Sequence, residues 1–277
     1  MTNAAIFTVQ ETHYSSKGKL HVENFEIFEA IRKKAKGGSA IGVHKGLQPF
    51  LIKEYSDAFE LIVVEIKAAT KEIRIMTGYG PQENWSLVDR LPFFLALEEE
   101  IVKAELAGKS IIIELDANSK LGPGLIPGDK HQQSDNGRIL AGIIERHGIL
   151  IGNALDKCEG LVTRKRVTKD AIEESTIDFV LLSADLVDDI ESILVDEKRS
   201  HVLTKIRKTK NGVRKVESDH NPIISNLKIP WKTQLKQQRV ELFNLKNKNC
   251  QEVFKRETST YTTHSDDRSK KRKPIDK

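Results

Sequence analysis

Along the first 227 residues, short apolar runs alternate with turn residues at spacings that predict strands over residues 6–9, 39–44, 61–67, 71–77, 110–115, 176–182 and 223–227. The period changes to a helical one twice. Ser86 with Asp89 three residues on forms a capping pair. Leu91, Phe94, Leu95, Ile101, Val102 and Leu106 then mark one apolar stripe, and Gly108 is the stop. Pro92 falls in the early turns of this helix, so its start is defined only to within several residues. In the second helix Ser134 precedes Ile139, Leu140, Ile143 and Ile144, with Gly148 as the stop. Asn211-Gly212 lies between residues 202–208 and 213–217, a hairpin signal because both turn positions need positive φ. Many strands with two clear helices predict an α/β fold, a layered sandwich with helices covering two packed sheets.

After Trp231 the pattern thins, so a domain over residues 1–230 and a tail over 231–277 are expected. A short amphipathic stretch (Val240, Leu242, Phe243, Leu245) leads into a polar run and then Lys270-Lys271-Arg272-Lys273-Pro274. That cluster resembles a nuclear localisation signal, which makes the expected address intracellular and nuclear. The tail is expected to be partly helical or disordered. Charge sharpens the division. The chain carries +5, yet residues 228–277 hold 14 Lys/Arg against 6 Asp/Glu, so the body is slightly acidic. A basic tail can bind nucleic acid through phosphate contacts, and the plain alternative is a solvated linker. The apolar runs are too short to span a bilayer, and no signal peptide is visible at the start. No membrane partner and a monomer are expected. Cys158 and Cys250 are too few and too far apart for a zinc cluster, and they suit a reducing compartment.

Four segments set polar, acidic or imidazole groups at strand ends: Gln10-Glu11-Thr12-His13, Tyr79-Gly80-Pro81-Gln82, Glu114-Leu115-Asp116-Ala117-Asn118 and Ser218-Asp219-His220-Asn221-Pro222. Asp178 joins them from within an otherwise apolar strand, where a carboxylate needs a partner; His220 is a natural one. Each has a plain alternative taken singly: a solvated Glu11, a half-buried Tyr79, turn-capping Asp116 and Asn118, a surface pair at Asp219-His220. Together they suit metal-assisted phosphodiester hydrolysis, since a hard divalent cation takes carboxylate oxygens and cleavage needs an activated water. There is no Gly-x-x-x-x-Gly-Lys loop and no Gly-x-Ser-x-Gly elbow.

The order Gln-Glu-Thr, Tyr-Gly-Pro-Gln, Asp-Ala-Asn, Ile-Asp-Phe-Val-Leu-Leu-Ser and Ser-Asp-His resembles that of the endonuclease/exonuclease/phosphatase superfamily, from Ala5 to Leu227. Gly37-Gly38-Ser39-Ala40-Ile41-Gly42-Val43 and Ser134-Asp135-Asn136-Gly137-Arg138 through Gly152-Asn153 resemble the endonuclease domains of non-LTR retrotransposons, which are similar to apurinic/apyrimidinic endonucleases. Phe243-Asn244-Leu245-Lys246-Asn247 is similar to the segment leading towards a reverse transcriptase module in such polyproteins.

The resemblance implies a four-layer α/β sandwich of two packed mixed sheets flanked by helices, with the site at the mouth between the sheets. It implies that Glu11 holds Mg²⁺ or Mn²⁺ and that Asp116 acts on the attacking water, with Asn118 orienting it. Asp178 would orient His220 towards the scissile phosphate, Asp219 would support the metal or His220, and Tyr79 would bind a phosphate oxygen. The implied activity is that of a metal-dependent DNA endonuclease. A catalytically impaired remnant, or a phosphoinositide or sphingolipid phosphatase of the same superfamily, are the alternatives. The family's first strand and helix precede its Gln-Glu strand, whereas Glu11 is reached here within ten residues of Met1. The expectation is a domain lacking that unit.

Two basic regions bear on substrate. Arg164, Lys165 and Arg166 lie shortly before Asp178. Residues 198–215 hold eight Lys/Arg, among them Lys205, Arg207, Lys208, Lys210, Arg214 and Lys215, and no acid. Both are expected to contact the DNA backbone; a charge-protected edge strand is the alternative for the second.

Overall fold

The structure is a computed structural model that describes residues 4–14, 16–32, 37–168, 171–202, 204–209 and 212–230. All of these belong to one compact unit. Its strands, in chain order, are β1 (Ile6–Gln10), β2 (Phe25–Ala30), β3 (Ser39–His44), β4 (Phe50–Tyr55), β5 (Glu60–Lys67), β6 (Glu72–Tyr79), β7 (Ser110–Asp116) and β8 (Leu150–Ile151). They continue as β9 (Cys158–Glu159), β10 (Arg164–Val167), β11 (Ile172–Ser175), β12 (Asp178–Leu182), β13 (Ile190–Val195), β14 (Thr204–Thr209), β15 (Gly212–Glu217) and β16 (Ile223–Leu227). Two α-helices, α1 (Leu87–Leu106) and α2 (Asp135–Arg146), complete the described regular structure apart from short 3-10 turns. No described helix is long and apolar enough to cross a membrane.

A six-stranded mixed sheet, order β4-β5-β6-β7-β12-β8, forms the centre. Its inner strands β5, β6, β7 and β12 are apolar on both faces because both are covered. Leu61, Val63, Met76, Ile111, Ile113 and Leu115 face the helices, meeting Phe93, Phe94, Leu97 and Ile101 of α1 and Leu140, Ile143 and Ile144 of α2. The alternate residues Ile62, Val64, Ile75, Ile112, Val180 and Leu182 face the opposite way, into a second core with Ile41, Val43, Ile190 and Ile193. That second layer consists of two three-stranded sheets, β1-β3-β2 and β16-β13-β9. The result is an α/β sandwich. Among the described residues both α-helices cover the outer face of the six-stranded sheet.

The strand expectations coincide closely with the structure at residues 39–44 and 223–227, and the others shift by one or two residues. Ser86 caps α1 by accepting from the Asp89 N–H, and Ser134 caps α2 by accepting from the Gly137 N–H. Pro92 is the sixth residue of α1, and the helix continues through it. The apolar stripe expected on α1 requires correction. Phe94 and Ile101 are buried, but Leu91, Leu95, Val102 and Leu106 are exposed. The helix buries Phe93, Ala96, Leu97, Ala104 and, unusually, Arg90 and Glu100 instead. Arg90 is aimed inwards because Asn136 of α2 accepts from its Nη1 at 2.7 Å, and Glu100 accepts from Tyr55 Oη at 2.9 Å. Strand β14 pairs with β15 as the expected hairpin. Lys210 and Asn211 of its turn, and the whole tail from Trp231, lie outside the described residues.

Candidate active site

The register of three neighbouring strands assembles the site. Parallel pairing of β6 with β7 sets Tyr79 opposite Asp116, and antiparallel pairing of β7 with β12 sets Asp178 opposite Asp116. Directly paired residues on adjacent strands have neighbouring side chains, so three polar groups far apart in sequence line up at one end of the sheet. Glu11, just past β1, comes over this end from the other layer, and Tyr79 Oη donates to its Oε1 at 2.8 Å. Glu11 and Asn118 both sit at positive φ (53° and 44°), where each chain turns away from its strand. Asn118 Nδ2 donates to the Gly80 carbonyl and its N–H to Asp116 Oδ1, so the two strand-end loops are joined above the carboxylate. A Cβ at Gly80 would fall on the Ala117 carbonyl, which explains the glycine there.

His220 arrives on the loop before β16. Its Nδ1 lies 3.0 Å from both oxygens of Asp178, and its Nε2 lies 3.8 Å from Asp116 Oδ2. A carboxylate only accepts, so Nδ1 carries a hydrogen and Nε2 is the atom turned to Asp116. Asp116, Asp178 and His220 offer ligand atoms all within 4.8 Å of one another. Asp116 is 3% exposed. Burial, then the Asp178 charge, pushes its carboxyl up to about 8, with His220 opposing and Glu11 adding to the rise. Burial lowers His220, but Asp178, and then Asp116 and Asp219, outweigh it and raise the imidazole to about 9. Tyr79 is pushed far up by burial and by the Glu11 charge, so it stays a phenol. A carboxyl held protonated by burial and then by a neighbouring carboxylate is the condition that a cation relieves. The oxygen-rich donors, Glu11 and Asp116 foremost, fit a hard divalent ion.

Asp219 also lies at the mouth, but its carboxylate is engaged by Arg164, whose Nε donates to Oδ2 at 3.0 Å. Lys165 pairs with Glu174 at 2.7 Å across the β10–β11 hairpin, and Arg166 is exposed opposite Glu173. Two of these three bases therefore have carboxylate partners within the protein. Lys205, Arg207 and Lys208 lie on β14, Arg214 and Lys215 on β15, and Lys215 is exposed.

The cluster opens into a cavity of about 920 Å³ whose lining includes Glu11, Tyr79, Asp116, Asn118, Arg164, Asp219 and His220. Eight carboxylates line it against three Lys or Arg side chains, so a polyanion entering it needs added positive charge.

Several supporting residues escaped the sequence reading. Asn136, fully buried, donates to the Pro81 carbonyl at 2.8 Å and accepts from Arg90, fastening the Tyr79 loop to α2. Asn153 donates to the Asp178 carbonyl and accepts from the Val180 N–H. Thr163 Oγ1 accepts from the N–H groups of Ile177 and Asp178, fixing the start of β12. Asn136 and Asn153 stood in segments already singled out; what no local pattern reports is which distant carbonyl each amide reaches. Gly137 shows the same dependence. A Cβ there would fall inside the Lys120 carbonyl. Gly137→Ala is therefore expected to lower stability by ~2–4 kcal/mol, read as a fall in urea midpoint.

Glu114 is a further half-buried acid, on the same face of β7 as Asp116 and two residues along the strand. Thr8 Oγ1 donates to it at 2.8 Å, and burial pushes its carboxyl up. The folded state thus holds this proton more tightly than the unfolded chain, and stability drains away as pH rises above the unfolded value. Glu114→Gln is expected to raise the melting temperature at pH 8, by on the order of 1 kcal/mol of stability, and to leave it unchanged at pH 4. Calorimetry at the two pH values checks this.

No protein-family model matches the sequence, and no curated protein matches it. Solved structures do. The endonuclease domain of TRAS1, a telomere-specific non-LTR retrotransposon, superposes with a TM-score of 0.52 at 21% identity, covering 81% of this chain and 86% of that one. The catalytic domain of Xenopus laevis APE2 gives 0.61 at 14% identity, covering 82% and 84%. The 3′ phosphatase NExo from Neisseria, bound to a product DNA hairpin, gives 0.57 at 14%, covering 80% and 88%.

Proposed function

We propose that this chain, which has the apurinic/apyrimidinic endonuclease-like fold of the endonuclease/exonuclease/phosphatase superfamily, is a divalent-metal-dependent phosphodiester hydrolase that nicks DNA. The observation that carries the reading is the grouping of Asp116, Asp178 and His220 within 4.8 Å at a cavity mouth that Glu11 and Tyr79 share. The resemblance to a retrotransposon endonuclease domain supports an origin in such an element, where a reverse transcriptase module would follow. The basic cluster at 270–274 would give a nuclear address.

Glu11 and Asp116 would hold Mg²⁺ or Mn²⁺, with Asp219 beside them. When bound, the ion supplies charge neutralisation for the phosphate and a more acidic water. Asp178 fixes the orientation of the imidazole through Nδ1–H and balances its charge. With a pKa near 9, His220 is an imidazolium at neutral pH, and its Nε2–H can donate to a phosphate oxygen. Asp116, once ionised, accepts a proton from the attacking water; water oxygen bonds to phosphorus, the bond to the 3′ oxygen breaks, and that oxygen keeps the electron pair and takes a proton from solvent to leave as the 3′ hydroxyl. Asn118 and Tyr79 border the same space and can orient the phosphate through their polar hydrogens.

Supercoiled plasmid incubated with the protein and Mg²⁺ tests the reading. Open-circle product that requires the metal and leaves 3′-hydroxyl ends is expected. Orthophosphate release from a phosphoinositide or a 3′-phosphorylated oligonucleotide, with no nicking, would move the assignment to a phosphatase. Oligonucleotide binding with neither reaction would identify a non-catalytic remnant.

A further inference from the structure

The cavity holds a second imidazole–carboxylate pair that the reaction above does not use. Residues 119–133 leave the end of β7, contribute Lys120 and residues 128–131 to the cavity lining and return to the cap of α2, where Ser134 bonds back to Lys120 through both backbone and hydroxyl. Within this segment Asp129 is buried, and its Oδ1 accepts from the His131 N–H at 3.0 Å and lies 2.9 Å from His131 Nδ1. Asp129 Oδ2 has no hydrogen-bond partner among the described residues. The construction matches that of His220 on Asp178: a sheltered carboxylate grips Nδ1, and the ring stays partly exposed (34% for His131, 24% for His220). Nδ1 being taken, Nε2 is the one polar atom His131 can offer to a ligand. Lys120, Lys130 and His131 all line the cavity, and among the described residues neither ammonium has a carboxylate within ion-pair distance. Lys130 acts on Glu174 only as a more distant charge, while Lys165 takes that carboxylate directly.

We infer that His131, positioned by Asp129, forms with Lys120 and Lys130 a second phosphate subsite, which binds a phosphodiester neighbouring the scissile one. A ring gripped at Nδ1 by a carboxylate leaves Nε2 to meet the ligand, and an imidazole with a hydrogen on both nitrogens donates there to an anion. Two ammonium groups in an otherwise acid-lined cavity give this wall its attraction for phosphate. The consequence is a preference for substrates with at least two consecutive phosphates. The inference rests on the nuclease reading for its substrate class, not for its geometry.

The test compares two substrates in Mg²⁺: an eight-nucleotide single-stranded thymidylate and bis(p-nitrophenyl) phosphate, which has one phosphate. His131→Ala is expected to raise KM for the oligonucleotide about tenfold, keep kcat within twofold, and leave hydrolysis of the single-phosphate ester unchanged. Asp129→Asn should move KM in the same direction, and His131→Arg should restore most of the affinity. Equal loss of kcat on both substrates, or no change on either, would overturn the subsite. If the unaltered protein cleaves neither substrate, the plasmid assay alone decides the nuclease reading, and equilibrium binding of the same oligonucleotide decides the subsite. There, His131→Ala should reduce the slope of log affinity against log salt by about one, and an unchanged slope would sink the inference.

Discussion

Asp116→Asn is expected to reduce metal-dependent plasmid nicking by about three orders of magnitude while making the metal-free protein more stable. The first effect follows from removing a proton acceptor at the reacting centre, worth ~10²–10⁴, together with an oxygen ligand for the metal. The second follows from burial. The carboxyl is pushed from 3.8 to about 8 by desolvation and by Asp178, so the folded chain keeps a proton that the unfolded chain releases. Stability is therefore lost as pH rises from about 4 to about 8, and flattens above. Asparagine keeps the oxygen that accepts from the Asn118 N–H but carries no charge. Its stabilising effect should grow across that window and vanish at pH 3. Added Mg²⁺ should raise the melting temperature of the unaltered protein and not that of the variant. A variant that is inactive and less stable at pH 8 would contradict the placement of Asp116 in a repulsive, cation-seeking site.

The second large effect is expected at Asp178. Its carboxylate is the main influence raising His220 to about 9, acting against burial. In Asp178→Asn the burial penalty remains and that attraction is gone, so the imidazole should titrate well below 9. A protonated His220 is then scarce at pH 8. Nicking should fall ~10²–10⁴-fold at that pH, and the alkaline limb of the pH–rate profile should move to lower pH. Proton NMR of the His220 ring reads the pKa directly, independently of turnover. An alkaline limb that stays at pH 9 in this variant would remove His220 from the role of phosphate donor.

The signals that were legible in the chain are those fixed by local chemistry. Ser86 and Ser134 announce helix starts because a hydroxyl there satisfies an N–H that the first turn leaves open. The run 110–115 announces a strand covered on both faces. The pair Asp178 and His220 follows from the cost of burying an unpartnered carboxylate, and the 3.0 Å contacts bear out that pairing. The stripe on α1 misled for a physical reason. Phe93 and Leu97 take the core-facing positions, and Arg90 and Glu100 turn inwards because Asn136 and Tyr55, from other elements, satisfy them. Leu91 and Leu95 are left exposed as a result. Strands β2, β4 and β13 and the β10–β11 hairpin were not expected from the sequence, and pairing with neighbouring strands defines them.

Sequence by itself determined which chemistry was available: four carboxylates (Glu11, Asp116, Asp178 and Asp219), an amide, a phenol and an imidazole, within or at the ends of strands whose apolar pattern set their place. It also placed the basic residues in two clusters. Tertiary structure decided what those groups do to one another. Register across β6, β7 and β12 puts Tyr79 and Asp178 on either side of Asp116, and only that crowding lifts the carboxyl and the imidazole from their ordinary values. It also joined Arg164 to Asp219 and Lys165 to Glu174, and it formed the Asp129–His131 pair in the lining of the same cavity. Charge in a sequence is a count. The energy of a charge depends on distance and on exclusion of water, and both are properties of the folded chain.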